Sequence, residues 1–241
     1  MDIEELLASY PRTRPPLSDA HRRIHRHEYQ LNREARTLAT RLSHLAESWM
    51  HRVVARNATQ GSVLEIGAGT LNHVPYEATR AYDVVEPFEE LYVASPWRAS
   101  VRHVFGDVSE LPPDLRYDRV LSIAVLEHLE QLPRVVAQSA LRLEEGGRFQ
   151  HCIPSDGALL WELGWRLTTG IAYRLRNRLS YAVVMRHEHI NRAEEIVAVI
   201  AWFFERVRIE RFPLPWHALS LYTYVEASAP RLQRCRGYLE R

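Results

Sequence analysis

Residues 63–77, VLEIGAGTLNHVPYE, place one acid, Glu65, and two glycines, Gly67 and Gly69, at the end of a short apolar run. Glycine there lets the backbone turn tightly and come close to a ligand, and the carboxyl ends of strands are where an open α/β sheet has its binding crevice. A GxG turn alone is weak and equally suits an ordinary strand-to-helix turn. Glu86, 17 residues beyond Gly69 at the end of the run AYDVVE, adds to it. That separation is close to the offset of roughly 20 residues at which an acid grips a pair of ribose hydroxyls. NAD would meet the same description, but a dinucleotide fingerprint has a third glycine where a helix N-terminus receives the pyrophosphate. The turn GAGTLN has Asn72 at that place. The pattern suits a nucleoside without phosphates, with Glu65 available to a cationic amino group.

Two histidine-bearing stretches could move protons. In LEHL, Glu127 and His128 follow the apolar run YDRVLSI, and an imidazole there could take the proton of an attacking hydroxyl or simply pack at a helix start. In RHEHINR, Asn191 is expected to cap a helix over 192–204. His187, Glu188 and His189 are contiguous and do not present two ligands to one ion as an HExxH helix does, so no metal is expected. All 31 basic side chains are arginine, which excludes a lysine nucleophile.

These residues need a scaffold. Short apolar runs at 62–66, 81–86, 101–105, 117–123 and 147–153 alternate with helix candidates at 70–79, 88–94 and 132–144, a pattern that implies a parallel sheet covered by helices on both faces. After the fifth run the alternation stops. A stretch rich in Leu, Trp and Arg (156–190) precedes the helix at 192–204, and two β-like runs follow at 205–212 and 220–228. Upstream, Leu31, Ala35, Leu38, Leu42, Leu45, Trp49 and Val53 fall on one face of a long amphipathic helix, with Tyr29, Asn32 and Arg33 near its start. Before it, YPRTRPPLS reads as an extended arm ending at a cap, Ser18. The expected organisation is an arm and helix (1–59), a cofactor-binding domain (60–228) that contains a helical insertion or lid (156–190), and a tail (229–241).

Four segments in order, LEIGAGT (64–70), VVEP (84–87), GDVSELP (106–112) and YDRVLSIAVLEHL (117–129), resemble the motifs of class I S-adenosylmethionine-dependent methyltransferases over about residues 60–153. The resemblance implies a doubly wound, Rossmann-like α/β fold. Its sheet would be seven-stranded and mostly parallel, with an N-terminal helical extension and a helical insertion after the fifth strand. It implies S-adenosylmethionine as cofactor, with Glu65, Gly67, Ala68 and Gly69 at the methionine end and Glu86 on the ribose. Asp107 and Val108 would take the adenine amino group and ring face, and Ser122, Ile123 and Ala124 would lie beneath the methionine moiety. In similar methyltransferases a histidine near 187–189 borders the acceptor pocket, so His187 and His189 join His128 as candidate bases. The flanks ESWMHRVVA and EHINRAEEI resemble methyltransferases of bacterial surface-polysaccharide loci, which implies a saccharide or glycan-precursor acceptor and O-methylation.

Composition narrows the setting. The 241 residues are 46% hydrophobic, enough for one sizeable core, and 31 basic against 30 acidic residues leave no strong field for nucleic acid. Two cysteines without a CxxC pair give neither a disulfide framework nor a zinc site, and the start MDIEELLASYPR lacks a signal-peptide pattern, so a cytoplasmic protein is expected. No apolar run of about 18 residues appears, so no transmembrane span is expected. A small-molecule acceptor is the expected partner, and a homodimer is a further expectation. Two other readings stand beside this one: a nicotinamide-dependent oxidoreductase, disfavoured by Asn72 and by the lack of a Tyr-xxx-Lys pair, and a catalytically silent methyltransferase-like binding subunit.

Overall fold

The computed structural model describes residues 2–24 and 48–240. Seven strands form one sheet in the order β3-β2-β1-β4-β5-β7-β6. They are β1 (Val63–Ile66), β2 (Tyr82–Val85), β3 (Val104–Phe105), β4 (Tyr117–Ile123), β5 (Leu143–Pro154), β6 (Phe204–Pro213) and β7 (Ser220–Pro230). The first five run parallel, and β7 lies antiparallel between β5 and β6. The chain passes outward from β1 to β3 and then returns to β4, so the order reverses between β1 and β4. A ligand crevice opens at such a switch point, beyond the strands' carboxyl ends.

All four residues of β1 are buried, as a central strand covered on both faces requires. Alternation divides them. Leu64 and Ile66 join Val120, Ile196, Ile200 and Phe203 on one side of the sheet, and Val63 joins Met50, Val53, Val54 and Val84 on the other. The helices that lie wholly among the described residues are, in chain order, α1 (Ile3–Ala8), α2 (Glu89–Tyr92), α3 (Leu132–Ala140), α4 (Leu159–Trp165), α5 (Ile171–Asn177), α6 (Tyr181–Glu188), α7 (Ala193–Phe203) and α8 (Leu232–Leu239). The expected helical insertion is therefore present as α4 to α6, and the expected tail carries α8, packed on α3 and α7. Of the long helix read over 31–53, residues 48–56 are helical, and the rest, with Tyr29, Asn32 and Arg33, lies outside the described residues. Ser18 caps helical turns at 19–24, its hydroxyl accepting from the His21 amide at 3.3 Å.

One expected element is absent. Residues 70–79 form turns and a single 3-10 turn, Val74–Tyr76, in place of a helix. Leu71, fully buried, has a left-handed φ of +66°, and Pro75 brings no amide N–H to continue a helical ladder. The segment is held by side chains: His73 bonds Glu77 at 2.9 Å, and Glu77 accepts two bonds, 2.8 and 3.0 Å, from the guanidinium of Arg119 on β4. Arg119 has no exposed surface, and its Nε donates to Gln150 on β5 at 2.8 Å. This buried pair ties the loop after β1 to the middle of the sheet.

A buried pair is costly to break from one side, because the remaining charge keeps its desolvation penalty. Arg119→Met is therefore expected to lower unfolding free energy in urea by about 3–5 kcal/mol. Met at both 119 and 77 should recover most of that loss, and a double variant no more stable than the single one would show that the pair does not carry this weight.

Candidate active site

The loops after β1 and β4 meet at the switch point. Gly67 and Gly69 have φ of +67° and +52°, and a Cβ on Gly67 would stand 2.6 Å from Val125 Cγ2. A Cβ on Gly69 would meet nothing within 4 Å, so that backbone faces open space. The Gly69 amide donates to Glu86 Oε2 at 2.8 Å and the Phe88 amide to Glu86 Oε1 at 3.1 Å. These two bonds aim the carboxylate at the end of β2 and leave it lone pairs for further donors. No α-helix begins behind the glycine turn, and Asn72 is exposed within it. The amides and dipole that would receive a pyrophosphate are therefore missing.

Glu65, 3% exposed, accepts from the Tyr82 hydroxyl at 2.8 Å. Burial pushes its pKa up to about 7, against lowering by His73 and by the Tyr82 bond. Val108 is buried in the core, while Asp107 is exposed and accepts from both the amide and the hydroxyl of Ser109, at 2.8 and 2.5 Å. Ser122 has no exposed surface and its Oγ shares a 2.6 Å bond with His151 Nδ1, while Ile123 and Ala124, partly buried, pack against the core cluster that holds Val63 and Leu121. Ala124 takes a left-handed φ of +53° where the chain leaves the strand, and Ala68 is buried beneath the glycine turn.

Beyond β4 a 3-10 turn, Leu126–His128, carries the LEHL motif. Asn191 does not cap α7 as expected: the Arg192 amide takes that place and donates to Glu195 at 2.8 Å. Asn191 is fully buried instead, its amide donating to the carbonyls of Leu126 (2.9 Å) and Leu129 (2.8 Å) and its Oδ1 accepting from Tyr10 (2.8 Å) and Arg12 (3.2 Å). The amides of Ile190 and Asn191 both donate to the Glu127 carbonyl. This lacing brings His128 and His189 together, with ring centroids 5.1 Å apart. His187 is not part of the group, since its Nδ1 donates to the Pro15 carbonyl at 2.7 Å.

The pair has a third member, Glu127, which the sequence places beside His128 in LEHL without giving it a role. Glu127 is 1% exposed, and neither carboxylate oxygen has a hydrogen-bond partner. Oε1 lies 3.7 Å from His128 Nε2. His128 Nδ1 donates to the Glu188 carbonyl at 2.7 Å, which leaves Nε2 as the basic nitrogen. Burial on its own would lower the His189 pKa, but Asp156, with Oδ2 3.6 Å from Nδ1, together with Glu127 and Glu188 outweighs it and holds the group above its ordinary value. Trp161 of α4 lies nearly parallel to His189, 6.1 Å between centroids, and covers it. Glu127, His128 and His189 place one ligand atom each within 4.8 Å of one another, a donor set that could also hold a cation. A cavity of about 440 Å³ between Glu4, Tyr10, Arg134, Trp202 and Tyr238 contains none of these groups.

Glu65 links this site to pH. Its folded pKa of about 7 exceeds its ordinary 4.5, so the folded chain holds a proton through that window that the unfolded chain releases, and stability falls as pH rises from 4.5 to 7. Glu65→Gln is expected to raise the melting temperature relative to wild type at pH 8 and to leave little difference at pH 4. A difference that does not change between those pH values would remove Glu65 as the cause.

Residues 35–196, more than half of the chain, match the family described as "Methyltransferase domain". No protein of curated function matches the sequence. Among solved structures, an S-adenosylmethionine-dependent methyltransferase from Thermotoga maritima, described as a possible histamine N-methyltransferase, is 17% identical with a TM-score of 0.58, over 86% of this chain and 97% of that one. A possible exported protein from Bordetella parapertussis is 15% identical with a TM-score of 0.56, over 95% of this chain and 80% of that one. The N-methyltransferase NodS from Bradyrhizobium japonicum is 13% identical with a TM-score of 0.51, over 78% and 97%. At these identities the structural likeness speaks for the fold, and the family match speaks for the activity. With both in hand, the chain belongs to the methyltransferase-domain family and is a class I S-adenosylmethionine-dependent methyltransferase.

Proposed function

We propose that this methyltransferase acts on oxygen, methylating a hydroxyl of a small acceptor seated over Glu127, His128 and His189. The observation that carries this reading is the tautomer imposed on His128: Nδ1–H is spent on the Glu188 carbonyl, so Nε2 is left to accept a proton. A hydroxyl needs such an acceptor to become a good nucleophile, whereas a neutral amine needs little help. His187, the third candidate base, is turned to the arm and has no part in this reading.

The cofactor's sulfonium supplies an electrophilic methyl group. The chain binds and aligns the two reactants for an in-line displacement, in which the nucleophile must stand about 3 Å from the methyl carbon, opposite sulfur. Glu86, pre-aimed by the Gly69 amide, takes the ribose hydroxyls, and Asp107 with Val108 takes adenine. Gly67, Ala68, Gly69 and the 122–124 strand end hold the methionine portion, whose ammonium faces Glu65. The structure suits such a ligand because an acid is preset at the end of β2 and open backbone stands at Gly69, with no phosphate cradle beside them. His128 Nε2 would take the hydroxyl proton as the acceptor oxygen attacks, while the cofactor would supply the methyl group and its sulfur would keep the electrons of the broken C–S bond. Trp161, lying over His189, limits water. The two cysteines are both free and buried, in keeping with a reducing cytoplasm.

Calorimetry with S-adenosylhomocysteine is expected to show binding that Glu86→Ala weakens by about 10–100-fold, the range for losing hydrogen bonds to a charged group. Unchanged binding would remove Glu86 from the ribose. For a hydroxyl acceptor found by screening saccharides and other small alcohols, His128→Gln is expected to lower kcat by about 10²–10⁴. S-adenosylhomocysteine affinity should hold, and activity should survive dialysis against a chelator. A His128→Gln enzyme with wild-type kcat would leave positioning alone as the source of rate.

A further inference from the structure

α4, the π turn at 166–170 and α5 form one unbroken helical rod from Leu159 to Asn177. Its inner side is accounted for. Trp161 covers His189, Gly164 lies close against Leu221 and Tyr173 is buried. Its outer side is not: Leu159, Leu163, Leu167, Ile171 and Leu175, at a strict spacing of four, are each 44–78% exposed. On a plain α-helix such a row would drift around the axis by about 40° per step. The wider π turn in the middle winds back against that drift and keeps the row on one side for roughly 20 Å. The turn His217–Leu219 packs against α4, and Trp216, 63% exposed, and Leu219 are exposed apolar side chains near the rod.

Charge says what this surface meets. Arg166, Arg174, Arg176 and Arg178, all exposed, accompany the row, against a single acid, Glu162, which is paired with Arg166 at 2.8 Å. We propose that this face seats the protein on an anionic phospholipid bilayer, with the leucine row and Trp216 in the headgroup–acyl boundary and the arginines on lipid phosphates. A row of leucines bordered by arginines is the composition of a helix that lies in a membrane interface, and Trp favours that depth. A second copy of this chain is a poorer occupant, because face-to-face pairing would set arginines against arginines. No helix of the described residues is long and apolar enough to cross a membrane, so the contact is with the surface. The rod that lies on the bilayer also carries Trp161 over His189, so an acceptor carried by a lipid would reach the site from that side.

The surface stands apart from the methyl-transfer reading, since a chain that binds S-adenosylhomocysteine but no vesicles keeps the one and loses the other. The test is co-sedimentation of the full chain with vesicles of phosphatidylcholine alone or with about 30% phosphatidylglycerol. The wild type is expected to bind the anionic vesicles at least about tenfold better, with affinity falling as salt rises. Leu167→Asp with Leu175→Asp changes two of the most exposed side chains and should leave S-adenosylhomocysteine binding intact while lowering vesicle affinity at least about tenfold. Arg174→Gln with Arg176→Gln should weaken binding to anionic vesicles only. Absence of vesicle binding, equal binding by the Asp variant, or a wild-type dimer that the Asp variant dissolves without any vesicle binding would each overturn the proposal.

Discussion

The site depends on one buried amide. Asn191 has no exposed surface and makes four side-chain hydrogen bonds, two to carbonyls of the LEHL turn and two from the N-terminal arm. A buried group left without such partners costs about 1–3 kcal/mol, so the arrangement is held from several directions at once. The backbone amides at 190 and 191 add two bonds to the Glu127 carbonyl. Arg12 reaches the Ile190 carbonyl at 2.6 Å and pairs with Glu195, which binds the start of α7 into the same cluster. Two histidines far apart in sequence thereby come face to edge, with a buried acid between them and a tryptophan over one. The geometry of His128 and His189 is thus set by a residue that touches neither ring.

On the cofactor side the determining feature is a missing helix. A glycine turn that opens a helix offers amides and a dipole to phosphate. Here the chain leaves Gly69 through left-handed Leu71 into a short 3-10 turn, fixed from behind by Glu77 on Arg119. The Gly69 amide, which a phosphate would otherwise take, is given to Glu86. The turn therefore delivers an oriented carboxylate where a dinucleotide site delivers donors. That exchange suits a nucleoside carrying a cationic sulfonium and an ammonium.

Much of this was legible in the sequence because it rests on local pattern. Five strands follow apolar runs and two follow β-like runs; β4 was read over its full extent, 117–123, whereas β3 fills only the end of the run read at 101–105 and β5 begins at Leu143, ahead of the run read at 147–153. Gly67, Gly69 and Glu86 stand at spacings that their chemistry requires. What was missed has no periodic signature. The segment 70–79 carries helix-compatible residues, but side-chain contacts with β4, distant in sequence, decide its path. Asn191 precedes a helix, where asparagine commonly caps, and only tertiary structure reveals that its amide is spent elsewhere. Glu127 stands beside a conspicuous histidine, and nothing in its neighbours' spacing announces that both its oxygens are sealed from water.

The insertion shows how one helix can serve two surfaces. A rod packed on β7 could bury its whole apolar face, and on the inner side Tyr173 is buried and Trp161 lies over His189. Yet the same 19 residues keep five large aliphatic side chains in water, aligned by a π turn, an element seldom found except where function needs it. Solvent-facing leucines in a single straight row gain nothing for a chain that stays in water, and they raise the risk of aggregation. Their alignment makes sense if the row is covered while the enzyme works. The side chain that lies over His189 belongs to the rod that carries the row, so the covered surface and the site share one element.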